Sequence, residues 1–226
     1  NIDLRYELYP SRGEQISVAV FYKHFDSPIE WTYTVAGGTD LVYSYKNALS
    51  ADNYGLELDI RKSLDFIGLP YLSWSFNGAF IKSKVNFEAG AKEENRPMQG
   101  QSPYLVNTGF FYKNKQAALD VALLYNRIGK RIIGVGRSSG STGSDDNARV
   151  PDSYEMPRNT FDLSLTKRFG DSWEIKFNIR DILAEKVQYK QFADVTQADG
   201  STKEVEQITR DYKPGRNFGL QVTYKF

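Results

Sequence analysis

The sequence predicts an all-β protein, an antiparallel transmembrane β-barrel with about nine strands in this chain. Three observations support that fold class. Apolar and polar residues alternate with a period of two in nine segments, short and long connections follow one another in strict order, and the polar positions carry many charges. A period of two is typical of a strand with one apolar and one polar face.

The alternation is clearest at the C-terminal end, where Phe218, Leu220, Val222, Tyr224 and Phe226 are separated by small or polar residues. An apolar face that extends to the last residue needs a covering environment, since chain ends in water tend to be polar and frayed. Similar alternation predicts the other strands at residues 2–8, 16–22, 54–60, 72–80, 104–112, 117–125, 161–168 and 173–180.

The connections between these strands are of two kinds. Short turns lie at residues 9–13, 65–70, 113–116 and 170–171, and long polar stretches lie at residues 26–53, 86–102, 128–158 and 184–213. Long irregular loops are uncommon in compact soluble domains. An outer-membrane barrel, in contrast, has tight turns at the periplasmic rim and long loops at the extracellular rim. We therefore expect the last two long stretches to be mobile extracellular loops.

The alternation also assigns side chains to the two faces of each strand. The apolar set is expected to face lipid: Leu119, Val121, Leu123, Leu163, Leu165, Ile175, Phe177, Leu220 and Val222. The polar set is expected to face the lumen, and its charged members are candidates for lining a substrate path: Glu57, Asp59, Arg61, Asp162, Arg168, Glu174, Lys176 and Arg180, with Asn178 and Gln221 on the same side. Solvated side chains paired with their neighbours are the alternative interpretation.

Composition and isolated motifs give little support to other functions. The 29 Lys and Arg residues against 28 Asp and Glu residues leave a net charge of +1, which favours no nucleic-acid partner. His24 is the only histidine and there is no cysteine, so we expect no catalytic, cofactor or zinc site. The stretch GVGRSSGSTGS at 134–144 lacks the Lys-Ser/Thr ending of a phosphate loop. Calcium ligation by Asp145, Asp146, Asn147 and Asp152 is a weaker hypothesis, because their spacing matches no known calcium loop.

An odd number of strands has a geometric consequence. With nine antiparallel strands, the first and the last run in the same direction and cannot close an antiparallel barrel against each other. Either a tenth strand lies at residues 39–46, or the chain is part of a larger barrel. The chain begins at Asn1 inside an alternating pattern, which favours the larger barrel. A small stand-alone barrel (an enzyme or adhesin) and a soluble β-sandwich module remain as alternatives.

Four stretches resemble the C-terminal barrel of TonB-dependent outer-membrane receptors, most closely the Bacteroidetes type. They are VAVFYKHFDSPIE, YKNALSADNYGLELDIRKSL, RPMQGQSPYLVNTGFFYKN and DYKPGRNFGLQVTYKF. The resemblance implies a barrel of about 22 strands in the bacterial outer membrane, of which residues 1–226 are the C-terminal part, and an N-terminal plug domain that this chain does not contain. It implies active uptake of a nutrient and no enzymatic activity.

The same resemblance implies the partners. They are outer-membrane lipid, the rest of the barrel with its plug, a periplasmic TonB-type coupling protein and a possible surface lipoprotein. It also implies that the barrel-assembly machinery reads the last strand, through Phe218, Leu220, Val222, Tyr224 and Phe226. Siderophores, glycans, peptides and vitamins are all possible ligands of such a receptor.

Overall fold

The computed structural model describes residues 1–35, 41–88, 95–136 and 151–226. In these ranges the chain is mostly β-structure, with one short 3-10 helix at Asp65–Ile67 and no helix long and apolar enough to cross a membrane. The strands are β1 (Ile2–Leu8), β2 (Gln15–Asp26), β3 (Ile29–Val35), β4 (Leu41–Asn47), β5 (Ser50–Leu64), β6 (Leu69–Asn86), β7 (Tyr104–Asn114), β8 (Leu119–Ile128), β9 (Arg131–Gly134), β10 (Ser153–Glu155), β11 (Asn159–Phe169), β12 (Trp173–Arg180), β13 (Val187–Thr196), β14 (Thr202–Tyr212) and β15 (Asn217–Tyr224).

Nine strands form one antiparallel sheet in the order β1-β2-β5-β6-β7-β8-β11-β12-β15. They are the nine strands that the alternation predicts. Among the described residues, β1 pairs only with β2 and β15 only with β12, so the sheet is an open part of a barrel wall. This open wall does not fit a closed stand-alone barrel. Large side chains of its apolar face, such as Leu4 (70% exposed) and Leu220 (71%), are not covered by a second sheet in the described ranges, so the soluble sandwich is wrong as well.

Three details differ from the prediction. Strands β5 and β6 are 15 and 18 residues long and extend beyond their predicted segments. Strand β8 begins at Leu119 instead of 117, because Ala118 has a φ of 46° and belongs to the preceding turn. The segment at 39–46 does contain a strand, β4, but this strand pairs only with β3 and adds nothing to the nine-stranded sheet.

The two rims of the sheet have different connections. Short turns join β1 to β2, β5 to β6, β7 to β8 and β11 to β12, as predicted, and define the short-turn rim. At the opposite, long-loop rim, three connections contain strands. The expectation of loops without regular structure is therefore wrong for their described parts. Strands β14, β13, β10 and β9 pair in that order as a second sheet, which we call the rim sheet.

One side of the nine-stranded sheet, the apolar face, is almost continuously apolar. On β7 it runs from Tyr104 through Val106 and Phe110 to Tyr112. The two tyrosines are eight residues apart, about 27 Å along a strand, or roughly 20 Å for a strand tilted by ~40°. That height is close to the apolar band of an outer-membrane barrel, with an aromatic ring at each boundary. The register places all nine predicted lipid-facing residues on this face.

Candidate functional site

The polar face is the opposite side of the nine-stranded sheet. Cross-strand pairs such as Asp59 with Asn77 place residues that are distant in sequence side by side on it. The register puts all eight charged candidates for a substrate path on this one face: Glu57, Asp59, Arg61, Asp162, Arg168, Glu174, Lys176 and Arg180. They are spread over three strands, β5, β11 and β12, and do not converge on one point.

A row of amide side chains crosses the middle of the polar face. Asn77 Nδ2 donates to Asp59 Oδ1 at 2.8 Å, and Asn107 Nδ2 donates to Asn77 Oδ1 at 3.3 Å. Asn126 Nδ2 continues the row by donating to Asn107 Oδ1 at 2.6 Å. These four side chains, the amide ladder, link β5, β6, β7 and β8 by hydrogen bonds between directly opposed residues. The three asparagines carry no signal in the sequence, since only the register shows that they are neighbours.

The charged candidates on the polar face have two kinds of surroundings. Near the short-turn rim, Arg168 Nη2 lies 2.7 Å from Asp120 Oδ2 and Arg168 Nε lies 3.1 Å from Glu174 Oε2. This arrangement is the neighbour pairing of the alternative interpretation. Within the described ranges, the side chains of four others make no hydrogen bond or ion pair: Glu57, Arg61, Lys176 and Arg180. Their charges are available to water or to a ligand.

A cluster of two rings and one cation lies on the rim sheet. Lys130 Nζ is 4.6 Å from the ring centroid of Tyr154 and 4.7 Å from that of Phe192, and the two rings meet edge to face at 5.8 Å. Tyr154 pairs with Ile132, which is 1% exposed, so the cluster shares the buried face of the rim sheet. Burial, with the Asp152 carboxylate nearby, raises the pKa of the Tyr154 hydroxyl. The Lys130 ammonium remains exposed, and the cluster offers a ligand both a positive charge and flat apolar surface.

A buried ion pair fixes the segments around the top of β6. Arg96 Nη2 lies 2.8 Å from Glu30 Oε2, and the two side chains are only 8% and 7% exposed. The Val85 and Arg96 backbones exchange hydrogen bonds, and Val85 belongs to a small apolar core with Ala51. Removing one partner of such a pair leaves a buried uncompensated charge. The pair therefore holds the β3–β4 hairpin against the segment that precedes β7.

The only histidine lies at the long-loop rim, as its sequence position indicates. His24 Nδ1 is 2.8 Å from Asp52 Oδ1, and Nε2 is 3.2 Å from Asp26 Oδ1. The Tyr22 hydroxyl donates to the same Asp52 oxygen at 2.7 Å. No serine or threonine takes part in these contacts, so the arrangement is not that of a hydrolase triad.

Two motif hypotheses fall wholly or partly on residues 137–150, outside the described part of the chain. They are the glycine-rich stretch at 134–144 and the calcium ligands Asp145, Asp146 and Asn147. The fourth candidate ligand, Asp152, is described, and its Oδ1 accepts the Gly136 N–H at 2.6 Å. Elsewhere in the described ranges, no three His, Cys, Asp or Glu residues come together in a way that would hold a metal ion.

The C-terminal strand forms one edge of the nine-stranded sheet. Four of its apolar side chains (Phe218, Leu220, Val222 and Tyr224) lie on the apolar face, and Phe226 follows the end of the strand. The Tyr224 ring packs 4.7 Å from Trp173 and 5.2 Å from Phe226, and the Lys225 N–H donates to Ser172 O at 2.8 Å. These contacts place an aromatic group at the short-turn rim.

The comparisons with known proteins agree with this geometry. The family model described as TonB dependent receptor-like, beta-barrel matches residues 1–182. The chain belongs to this family. It is therefore part of a bacterial outer-membrane receptor, and the apolar face of its nine-stranded sheet is the lipid-facing side.

Solved receptors share the fold of this receptor chain at low sequence identity. The ferric-catecholate import receptor Fiu of Escherichia coli K12 superposes with a TM-score of 0.58 at 11% identity, covering 99% of this chain and 27% of Fiu. The siderophore receptor PirA of Acinetobacter baumannii gives 0.57 at 14% identity, and the ferric yersiniabactin uptake receptor FyuA of Yersinia pestis gives 0.52 at 15%. Each comparison covers 99% of this chain, with 32% of PirA and 37% of FyuA. The chain thus spans about a third of these receptors, and no curated protein matches it.

Proposed function

We propose that residues 1–226 are the C-terminal segment of the barrel of a TonB-dependent transporter, which actively imports a nutrient ligand across the outer membrane. The main observation is the division of one sheet into a lipid-facing apolar face and a polar face with an amide ladder and free charges. A plug domain, outside this chain, would fill the lumen against the polar face. Water-filled lumens and alternating faces are the general pattern of such barrels.

The polar face has groups suited to a regulated passage. In the amide ladder, Asn107 both donates and accepts a hydrogen bond, and Asp59 adds a carboxylate at one end, so the middle of the wall is polar with a single acidic group in the row. Arg61, Lys176 and Arg180 supply free positive charge and Glu57 free negative charge on the same face. A plug can exchange hydrogen bonds with such a surface at small net cost, since water and protein partners replace each other.

The ligand is proposed to contact the aromatic-cation cluster at the long-loop rim. An exposed ammonium between two rings favours an anionic ligand with a flat or aromatic part. By their names, Fiu is a ferric-catecholate import receptor, PirA a siderophore receptor and FyuA a ferric yersiniabactin uptake receptor. A ferric siderophore of the catecholate type therefore becomes the first ligand to test for this receptor.

The remaining partners follow from the family and the last strand. The transporter would take its energy from a periplasmic TonB-type protein, and the assembly machinery would read β15, whose free edge and apolar side chains are accessible. The four resembling stretches support a Bacteroidetes-type receptor, and with it a surface lipoprotein as a further partner.

The test measures uptake and binding of a labelled ferric catecholate. In the producing bacterium, uptake should require the intact gene and stop when a protonophore dissipates the proton gradient. Equal uptake after deletion of the gene would reject import of this ligand. In the purified intact protein, Lys130→Ala or Phe192→Ala should each weaken binding roughly fivefold, the size of a cation–π contact. Tyr189→Ala, on the other face of the same strand, is the matched control. Equal losses of binding affinity in all three variants would show that the ligand does not bind at this cluster.

A further inference from the structure

Four lysines on the apolar face mark the ends of the lipid-facing band, and they differ in their partners. At the short-turn rim, Lys62 Nζ donates to Glu14 Oε2 at 2.7 Å, and Lys167 Nζ donates to Ala117 O at 2.6 Å. At the long-loop rim, Lys82 and Lys84 are exposed and make no hydrogen bond or ion pair with any described residue. Arg127 lies on the same face at the long-loop rim and donates to the Tyr104 hydroxyl and to Asn159 Oδ1, so the lack of described partners sets Lys82 and Lys84 apart from it as well.

The position of Lys82 and Lys84 along β6 is set by the strand itself. The apolar face of β6 carries Leu72, Phe76 and Phe80 and then changes to the two lysines. A tilted strand crosses the hydrocarbon in about 9–11 residues, so a span that begins at Leu72 ends near Lys82. In the same cross-strand row, Lys82 is flanked by Tyr54. Aromatic rings favour the headgroup boundary, and Lys84 lies roughly 7 Å farther along the strand.

Among the described residues, the carboxylates nearest to Lys82 and Lys84 contact other side chains. Asp52 is directly opposite Lys84, but its Oδ1 already accepts from the Tyr22 hydroxyl at 2.7 Å and lies 2.8 Å from His24 Nδ1. Asp26 is the other nearby carboxylate on this face, and it contacts the other nitrogen of His24 at 3.2 Å. Among the described residues, no carboxylate neutralises the two lysines, which lie at the headgroup level and face the membrane instead of the lumen.

We propose that Lys82 and Lys84 bind the phosphate groups of anionic lipid in the outer leaflet of the outer membrane. Phosphate complements the two ammonium groups, and the site is continuous with the surface that already faces lipid. Lysine side chains at a boundary extend toward the headgroups, where each adds to the attraction of an anionic lipid. The partner is the membrane lipid itself and neither the imported ligand nor a protein.

The experiment uses the purified intact receptor and native mass spectrometry with diphosphoryl lipid A. A basic residue near an anionic lipid surface typically strengthens binding to that surface by about fivefold in affinity. Lys82→Gln and Lys84→Gln should therefore each weaken lipid A binding about fivefold, and the double variant roughly 25-fold if the two effects add. Lipid A without its phosphates should bind the wild type and the double variant equally.

Lys23→Gln is the matched control. This substitution removes the same charge at the same height, because the cross-strand row of Lys23 contains Ser83, which lies between Lys82 and Lys84 on β6. The Lys23 side chain, however, lies on the polar face. Its substitution should leave lipid A binding unchanged. The proposal is overturned if the double variant binds lipid A as the wild type does, or if Lys23→Gln loses as much. The proposal is also overturned if the wild type binds the dephosphorylated lipid as tightly as it binds diphosphoryl lipid A. If the double variant loses a bound protein but keeps its affinity for lipid A, the two lysines bind that protein and the proposal is overturned.

Discussion

The apolar and polar faces of the nine-stranded sheet share one backbone but are stabilised by different surroundings. On the apolar face, large side chains such as Leu220 (71% exposed) lack protein cover and need lipid around them. On the polar face, Asn77, Asn107 and Asn126 satisfy each other by hydrogen bonds. The residue type at each position of this wall is therefore set by the medium that the face contacts, lipid on one side and water on the other, and not by packing in a core. Four predictions follow from this comparison, in order of decreasing effect.

The largest effect concerns the orientation of the wall. Gly200 lies in the turn between β13 and β14, and Gly170 in the turn between β11 and β12, and both have positive φ (83° and 56°). An epitope inserted after Gly200 should be fully labelled by antibody on intact cells, since it lies at the rim assigned to the cell surface. The same epitope after Gly170 should be labelled only in permeabilised cells. The reverse pattern would show that the rims are assigned upside down.

The second prediction separates the faces within one strand. Val121 lies on the apolar face and Ala122 on the polar face of β8. Val121→Arg should reduce the free energy of unfolding of the intact protein by about 1–2 kcal/mol, because Val121 pairs with Tyr112 near the boundary of the apolar band and the cost of an Arg falls from the bilayer midplane toward the interfaces. Ala122→Arg should cost far less, because its charge enters the aqueous lumen. Denaturant titration in bilayers measures both, and equal costs would contradict the assigned faces.

The third prediction concerns the amide ladder. Asn107→Ala removes one accepted and one donated hydrogen bond and should cost about 1 kcal/mol of unfolding free energy, since water replaces part of the loss. Ser164→Ala is the control, because Ser164 lies on the same face and makes no hydrogen bond with its side chain in the described ranges. A cost for Ser164→Ala as large as for Asn107→Ala would show that the ladder contributes nothing particular.

The smallest effect is a pH dependence at the short-turn rim, where the two faces meet. The Lys62 ammonium, with help from the Ser63 N–H, lowers the pKa of Glu14 below its ordinary value of 4.5. A lowered folded-state pKa adds stability above the unfolded value, and this stability is lost as the pH falls below about 4.5 through the folded value. Glu14→Gln should therefore flatten the stability profile in that acidic range. An identical profile for the variant would assign the pH dependence to other groups.

The membrane-spanning strands could be predicted because lipid imposes a strict rule on one face. Every second residue of β12, from Trp173 to Ile179, must be apolar, and the pattern is visible without any knowledge of pairing. The rim sheet follows no such rule. In β14, Val205 and Ile208 are three residues apart and pair with Ala193 and Lys190, so they lie on opposite faces, and charged residues occupy both sides. Both faces of β14 are exposed to water, and this exposure removes the alternation from its sequence.

The candidate site was predictable only in part, for a related reason. The charged residues of the polar face follow from the same alternation that gives the strands. The cluster of Lys130, Tyr154 and Phe192, however, depends on the pairing of β9, β10 and β13, which are brought together from separate long connections. No spacing in the sequence indicates this arrangement. The ion pair of Glu30 and Arg96 is equally distant in sequence, 66 residues apart by their numbers, and was missed for the same reason.

The order of strands in the wall determines how far the effect of a destabilising substitution extends. Each membrane strand pairs only with the membrane strands before and after it in the chain, so the wall behaves as a one-dimensional array whose stability is a sum of nearest-neighbour interfaces. A defect introduced in β8 would weaken its interfaces with β7 and β11 and leave the interface of β1 with β2 intact. Hydrogen exchange in the intact receptor would then show a local loss of protection around the defect, fading along the wall within a strand or two.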